Sequence, residues 1–97
     1  MPQGAVAAEA VALAATSYPI VPGYRVNVRQ GPSTKHGVVR QLPYNARVTV
    51  RCQRSGERVS GPLGTSDVWD NIGPGQYISD TYVKTGSNGP VAPRCTS

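Results

Sequence analysis

Two stretches of the chain alternate valines with polar residues. Val26 and Val28 are interleaved with Arg25, Asn27 and Arg29, and Val48, Val50 and Cys52 with Arg47, Thr49, Arg51 and Gln53. A period of two puts one set on each face of a pleated strand, so both stretches are expected to be half-buried strands, the second of them central. Val38, Val39 and Leu42 supply a strand between them. Gly31-Pro32 ends the first strand, because proline has no N–H for a ladder, and Pro43-Tyr44-Asn45-Ala46 suits a tight turn. Residues 53–57 read as a hairpin turn around Gly56, leading to a short partner strand over Arg58-Val59-Ser60, and residues 61–67 as a loop. Residues 68–72 and 76–78 return to the sheet on either side of Gly73-Pro74-Gly75. Ser79-Asp80-Thr81 forms a last tight turn, in which Asp80 is expected to accept from the following backbone N–H groups, before a closing strand begins at Tyr82 and Val83.

The opening differs from everything after it. Residues 4–16 are strong helix formers, with Val6, Ala10 and Leu13 on one face. Helices of about a dozen residues are marginal alone, so this one packs on the sheet or a partner, or frays. The segment is not a secretory signal as it stands, since no Lys or Arg precedes it and Glu9 interrupts it; it reads as the start of a processed mature chain. Residues 1–22 are therefore an Ala-rich segment with a Pro-rich connector, in which Tyr18 is placed to pack on the sheet edge, and residues 23–97 a β domain. No stretch approaches a membrane span.

The order Val-Asn-Val-Arg, Gly-Pro-Ser, the valine strand ending in Leu42-Pro43, Arg47-Val48-Thr49-Val50, Trp69 and Tyr82-Val83 resembles the bacterial Src-homology-3-like domain over roughly residues 24–84. The cysteine pair and the run Val91-Ala92-Pro93-Arg94-Cys95 look most like small secreted actinobacterial members. The resemblance implies an all-β barrel of five or six antiparallel strands. It also implies a role in cell-wall targeting or peptide binding, because bacterial members commonly sit beside peptidoglycan hydrolases. The acidic loop and paired tyrosines by which eukaryotic relatives hold proline-rich ligands have no counterpart in residues 30–37, so polyproline binding is not expected.

Composition narrows this picture. The 97 residues include eleven glycines, nine prolines and no phenylalanine, as expected of one small domain of short strands and many turns. The net charge of +5 favours an anionic partner or surface. The arginines at 25, 29, 40, 47, 51, 54 and 58 are spread through the strands rather than massed, which disfavours nucleic acid. Two cysteines and one histidine make no zinc-ligand set. Cys52 lies on the inward register of its strand and Cys95 near the C-terminus. A bridge between them, favoured over two buried thiols, would tie down an aperiodic tail, contribute about 4 kcal/mol by loop entropy and point to an oxidising compartment.

Catalysis finds no support. His36 sits in a loop between Lys35 and Gly37 with no nucleophile elbow in the chain, and Asp67, Asp70 and Asp80 read as turn acids rather than an acid–base pair. No glycine loop opens a helix to cradle phosphate, so no cofactor is implied. Binding is better supplied. Tyr24, Tyr44, Trp69, Tyr77 and Tyr82 are amphipathic aromatics that serve either as core or as a ligand groove, and Arg29 and Arg40 are suited to carboxylates. The candidate ligand set is therefore Tyr24, Arg29, Arg40, Trp69, Tyr77 and Tyr82. The expected function is a secreted, non-catalytic module recognising peptidoglycan or another wall component. The alternative is a secreted protein-interaction module, an inhibitor or accessory subunit of an exported enzyme, which exposure of Val6, Ala10 and Leu13 would favour.

Overall fold

The computed structural model describes residues 16–87 and 89–96. The helix expected over 4–16, with Val6, Ala10 and Leu13, lies outside the described residues. Among the described residues there are seven strands, in chain order β1 (Ser17–Pro19), β2 (Val26–Arg29), β3 (Val38–Leu42), β4 (Arg47–Thr49), β5 (Cys52–Gly61), β6 (Gly64–Gly73) and β7 (Gln76–Ser79), then a 3-10 turn at Asp80–Tyr82. The strands form two antiparallel sheets, β1-β4 and β3-β2-β7-β6-β5.

The period-two reading holds on β2, where Val26 and Val28 are buried and Asn27 is exposed. These valines meet Ile20, Leu42, Val48, Val50, Ile78 and Val83 in one aliphatic core, with Tyr18, Ala46, Ile72, Tyr82 and Ala92 packed around it. Burying side chains of this size stabilises by about 1.5–3 kcal/mol each, which a domain without phenylalanine must collect from many small contributors. The proline-punctuated connector is part of the fold rather than a lead-in. Its β1 pairs with β4, Tyr18 packs on the core, and Ile20 bridges to Val83.

The strand expected over 47–53 divides. β4 ends at Thr49, and β5 begins at Cys52 in the other sheet, so the chain changes sheets across Val50-Arg51. The alternation resets there. Val48 and Val50 are buried as expected, but Gln53 is buried beside a half-buried Cys52. The hairpin placed at 53–57 is not a turn. β5 and β6 are each ten residues long, joined at Pro62-Leu63 with Gly61 opposite Gly64. Gly56 instead lies where the β5–β6 register slips between Ser55 and Val59. A bulge and a turn both call for glycine, and their sequence signatures are the same.

Several breakers act as read. Pro74-Gly75 links β6 to β7, with Gly75 at φ 64°, and Asn45 takes φ 62° in the turn that Ala46 N–H closes onto Pro43 O at 3.3 Å. At the last turn the cap is Ser79, whose hydroxyl accepts from Thr81 N–H, rather than Asp80. The closing strand expected from Tyr82 is reduced to the single bridge at Val83.

The tail is fastened to the edge of the larger sheet. Gln53 N–H donates to Pro93 O at 2.9 Å and Cys95 N–H to Gln53 O at 2.8 Å, which makes a short parallel bridge between Gln53 and Arg94. The Cys52–Cys95 disulfide, across a separation of 43 residues, lies beside it. Tail and disulfide thus cover part of an edge strand that would otherwise offer unpaired backbone groups.

Candidate functional site

The outward face of β2 and the loop that follows it build the site. Arg25, Asn27 and Arg29 lie on the polar face created by the alternation, and the chain leaves the sheet at Gly31-Pro32. Residues 30–37 then fold back, with Gln30 N–H donating to Gly37 O at 3.0 Å. His36 lays its imidazole over Gly31, in the space that a Cβ there would occupy. The guanidinium of Arg29 donates to Thr34 O at 2.9 Å and to His36 O at 3.0 Å. Arg29 is therefore as much a brace for this loop as a contact for a ligand.

The loop is anchored at its other side on the β5 bulge. Glu57 Oε1 accepts from Thr34 N–H at 2.6 Å, from Thr34 Oγ1 at 2.5 Å and from Ser33 Oγ at 3.0 Å, while Glu57 N–H donates to Pro32 O at 2.9 Å. The Thr34 side chain, then its backbone N–H and Ser33, hold the Glu57 carboxyl below its usual range. Trp69 closes the assembly by donating its indole N–H to Glu57 O at 2.8 Å. The bulge has a steric reason as well: a Cβ on Gly56 would run into Pro32 O and the Trp69 ring.

Between this loop and β2 lies a groove with a cavity of about 130 Å³, walled by Arg25, Asn27, Arg29, Thr34, Trp69 and Tyr82 among others. Trp69 is only 2% exposed and forms its back wall. Tyr82 is half-buried, and Tyr24, 42% exposed, meets it edge-on at 5.7 Å. Arg25 stacks its guanidinium over the Tyr44 ring at 4.7 Å, which holds a cation beside the groove mouth.

The structure brings together four of the six residues singled out in the sequence, Tyr24, Arg29, Trp69 and Tyr82. Arg40 stands apart on edge strand β3, where its guanidinium donates to Gln76 Oε1 at 3.0 and 3.2 Å. Tyr77 is buried on β7 and lines a depression beside the disulfide, with Arg51 and Pro74. Arg25, Asn27 and Thr34 were not among the candidates. Their signal was the alternation that set Arg25 and Asn27 opposite the valines, which marks an outward face but does not say that a loop folds over it.

Sequence reading also missed an acid pair. Asp70 is fully buried, its Oδ1 accepting from Gln53 Nε2 at 2.7 Å, while its Oδ2 and Asp80 Oδ1 are both buried without a hydrogen-bond partner among the described residues. Burial, then the Asp80 carboxyl, pushes the Asp70 carboxyl up to about 8, so it is predominantly protonated at neutral pH. Ten residues separate the two acids in the chain, and no local motif joins them.

Comparison with known proteins agrees with this architecture. The family described as Bacterial SH3 domain matches residues 25–84. The uncharacterized protein YraI of Bacillus subtilis (strain 168) is 41% identical over 96 residues, covering 88% of this chain and 80% of its own. The uncharacterized protein YraJ of the same organism is 42% identical over 84 residues, covering 75% of this chain and 69% of its own. Both relatives are from Bacillus, so the actinobacterial leaning read from the cysteine pair finds no support in them. A five-strand sheet with a second, two-strand one, a loop folded back over β2 and a family match over residues 25–84 lead to one assignment: the chain belongs to the bacterial SH3 domain family, a family of binding modules rather than catalysts.

Proposed function

We propose that this domain is a non-catalytic, exported binding module that recognises peptidoglycan or another cell-wall component through the groove between β2 and the 30–37 loop. The observation that carries this reading is the convergence of arginine and tyrosine in one recess: Arg25, Arg29 and Tyr82 line it, and Tyr24 stands against Tyr82 at the rim. Aromatic faces stack on sugar rings and peptide stems, while guanidinium groups pair with the carboxylates that wall peptides carry. Bacterial SH3 domains often bind cell wall, which agrees with the groove chemistry. The Cys52–Cys95 disulfide suits an oxidising, extracellular setting.

A second reading, docking on a secreted protein, is favoured by one feature. Edge strand β3 exposes Val38 and Val39, at 50% and 45%, on an outer edge of the sheet.

Co-sedimentation of the full chain with washed peptidoglycan sacculi separates the two. Salt-resistant pelleting that Tyr24→Ala and Arg25→Gln each weaken supports wall recognition. Pelleting abolished by salt alone reflects only charge attraction and contradicts it. Loss of pelleting in Val39→Thr with both groove variants unaffected would move the assignment to the β3 edge.

A further inference from the structure

A second cavity, of about 360 Å³, lies on the other side of β6, roofed by the C-terminal tail. Strand alternation separates it from the groove: Trp69 points to the groove, whereas Val68 lines this cavity and Asp70 is buried beside its Asp80. Its volume falls within the range of about 300–1,000 Å³ usual for small-molecule sites. The walls carry charge of both signs and apolar surface between them. Asp80 contributes the acid, Arg54 and Arg94 the bases, and Val68, Pro90 and Ala92 the apolar contacts.

Asp80 is the unusual member. Its Oδ1 and Asp70 Oδ2 are both buried, and neither has a hydrogen-bond partner among the described residues. Burial and the nearby Asp80 carboxyl favour the neutral form of Asp70, the deeper of the two acids. Gln53 ties Asp70 to the tail, since its Nε2 donates to Asp70 and its Oε1 accepts from Val91 N–H at 3.0 Å. Asp70 and the cavity roof are thus held in one hydrogen-bonded unit, with Asp80 beside it.

We propose that this cavity is a second binding site, independent of the groove, for a small zwitterion of the amino-acid or dipeptide class, with its ammonium on Asp80 and its carboxylate on Arg94. Separated charges of opposite sign across an apolar middle match a ligand with an amine at one end, an acid at the other and a short side chain between. The 3-10 turn that carries Asp80 is capped by Ser79 and closed by Val83 N–H donating to Asp80 O at 3.0 Å, so the acid's backbone is positioned before the ligand arrives. Arg94 is held in place by the Gln53 backbone bridge and the neighbouring disulfide.

The test is a titration of the full chain, followed by amide chemical shifts, with L-alanyl-L-alanine, its N-acetyl form and its C-terminal amide. Saturable shifts confined to residues 53–55, 66–70, 80 and 89–95 are expected, weakened at least tenfold by capping either end. Asp80→Asn, which keeps the size of the side chain and removes its charge, and Arg94→Gln, on the exposed tail, are each expected to weaken binding at least fivefold, whereas Tyr24→Ala at the groove rim, outside the turn that carries Asp80, leaves it unchanged. Absence of saturable shifts, equal binding of a capped form, or sensitivity to Tyr24→Ala but not to Arg94→Gln would overturn the proposal.

Discussion

At the scale of single residues, Glu57 and Asp70 show how the same side-chain chemistry is driven in opposite directions. Glu57 is held ionised by the donors of Thr34 and Ser33, and its folded value lies below the ordinary 4.5. The loop anchoring it provides is therefore present above pH 4.5 and lost as pH falls through the lowered value. The Thr34 amide resonance should move as the bond is lost on acidification, and Glu57→Gln should abolish that transition. Asp70 runs the other way. Its folded value, pushed up to about 8, lies above the ordinary 3.8, so its contribution is fully present below pH 3.8 and fades as pH rises through about 8. Denaturant unfolding across that window should show stability declining with pH in the native chain, and a flatter dependence in Asp70→Asn.

At the scale of elements, the decisive feature is the β5 bulge, because it positions both Glu57 and the Trp69 partner carbonyl. Gly56 has no room for a methyl group against Pro32 and Trp69. Gly56→Ala should destabilise the domain by about 1–3 kcal/mol through overpacking and shift resonances of residues 31–36, measured by denaturant unfolding and amide spectra. Unchanged loop resonances would mean that the bulge does not set the loop. This is also where the sequence was least legible. Period-two patterning gave β2, β4 and the buried valines because one face of each is dry. It could not distinguish a bulge from a hairpin at Gly56, nor show that β5 and β6 continue through residues whose exposed faces alternate weakly. Ile20 was hidden between two prolines although it is nearly fully buried. In the groove, Tyr24, Arg29, Trp69 and Tyr82 carry chemistry in their residue type, whereas Thr34 there, and Asp70 beside Asp80 on the other side of β6, exist as site features only through packing.

At the scale of the whole molecule, a small aliphatic core is supplemented by a tail that is bonded to one sheet edge and covalently closed. Replacing Cys52 and Cys95 by alanine should cost about 4 kcal/mol of unfolding free energy, since the bridge restrains a loop of more than forty residues in the unfolded chain. The same change should release the tail from Gln53 and open the cavity beneath it, while the groove on the opposite side of β6 keeps its shape. The groove and the disulfide thus lie on different faces of one sheet.

The central claim is that recognition resides in the groove between β2 and the 30–37 loop. Amide and side-chain chemical-shift mapping of the full chain with soluble wall fragments, a glycan bearing its peptide stem, addresses it most directly. Perturbations should cluster at Tyr24, Arg25, Asn27, Thr34 and Tyr82 and saturate with a single affinity that persists at moderate salt. Perturbations centred on the exposed β3 edge at Val38 and Val39, or no saturable change anywhere, would contradict it.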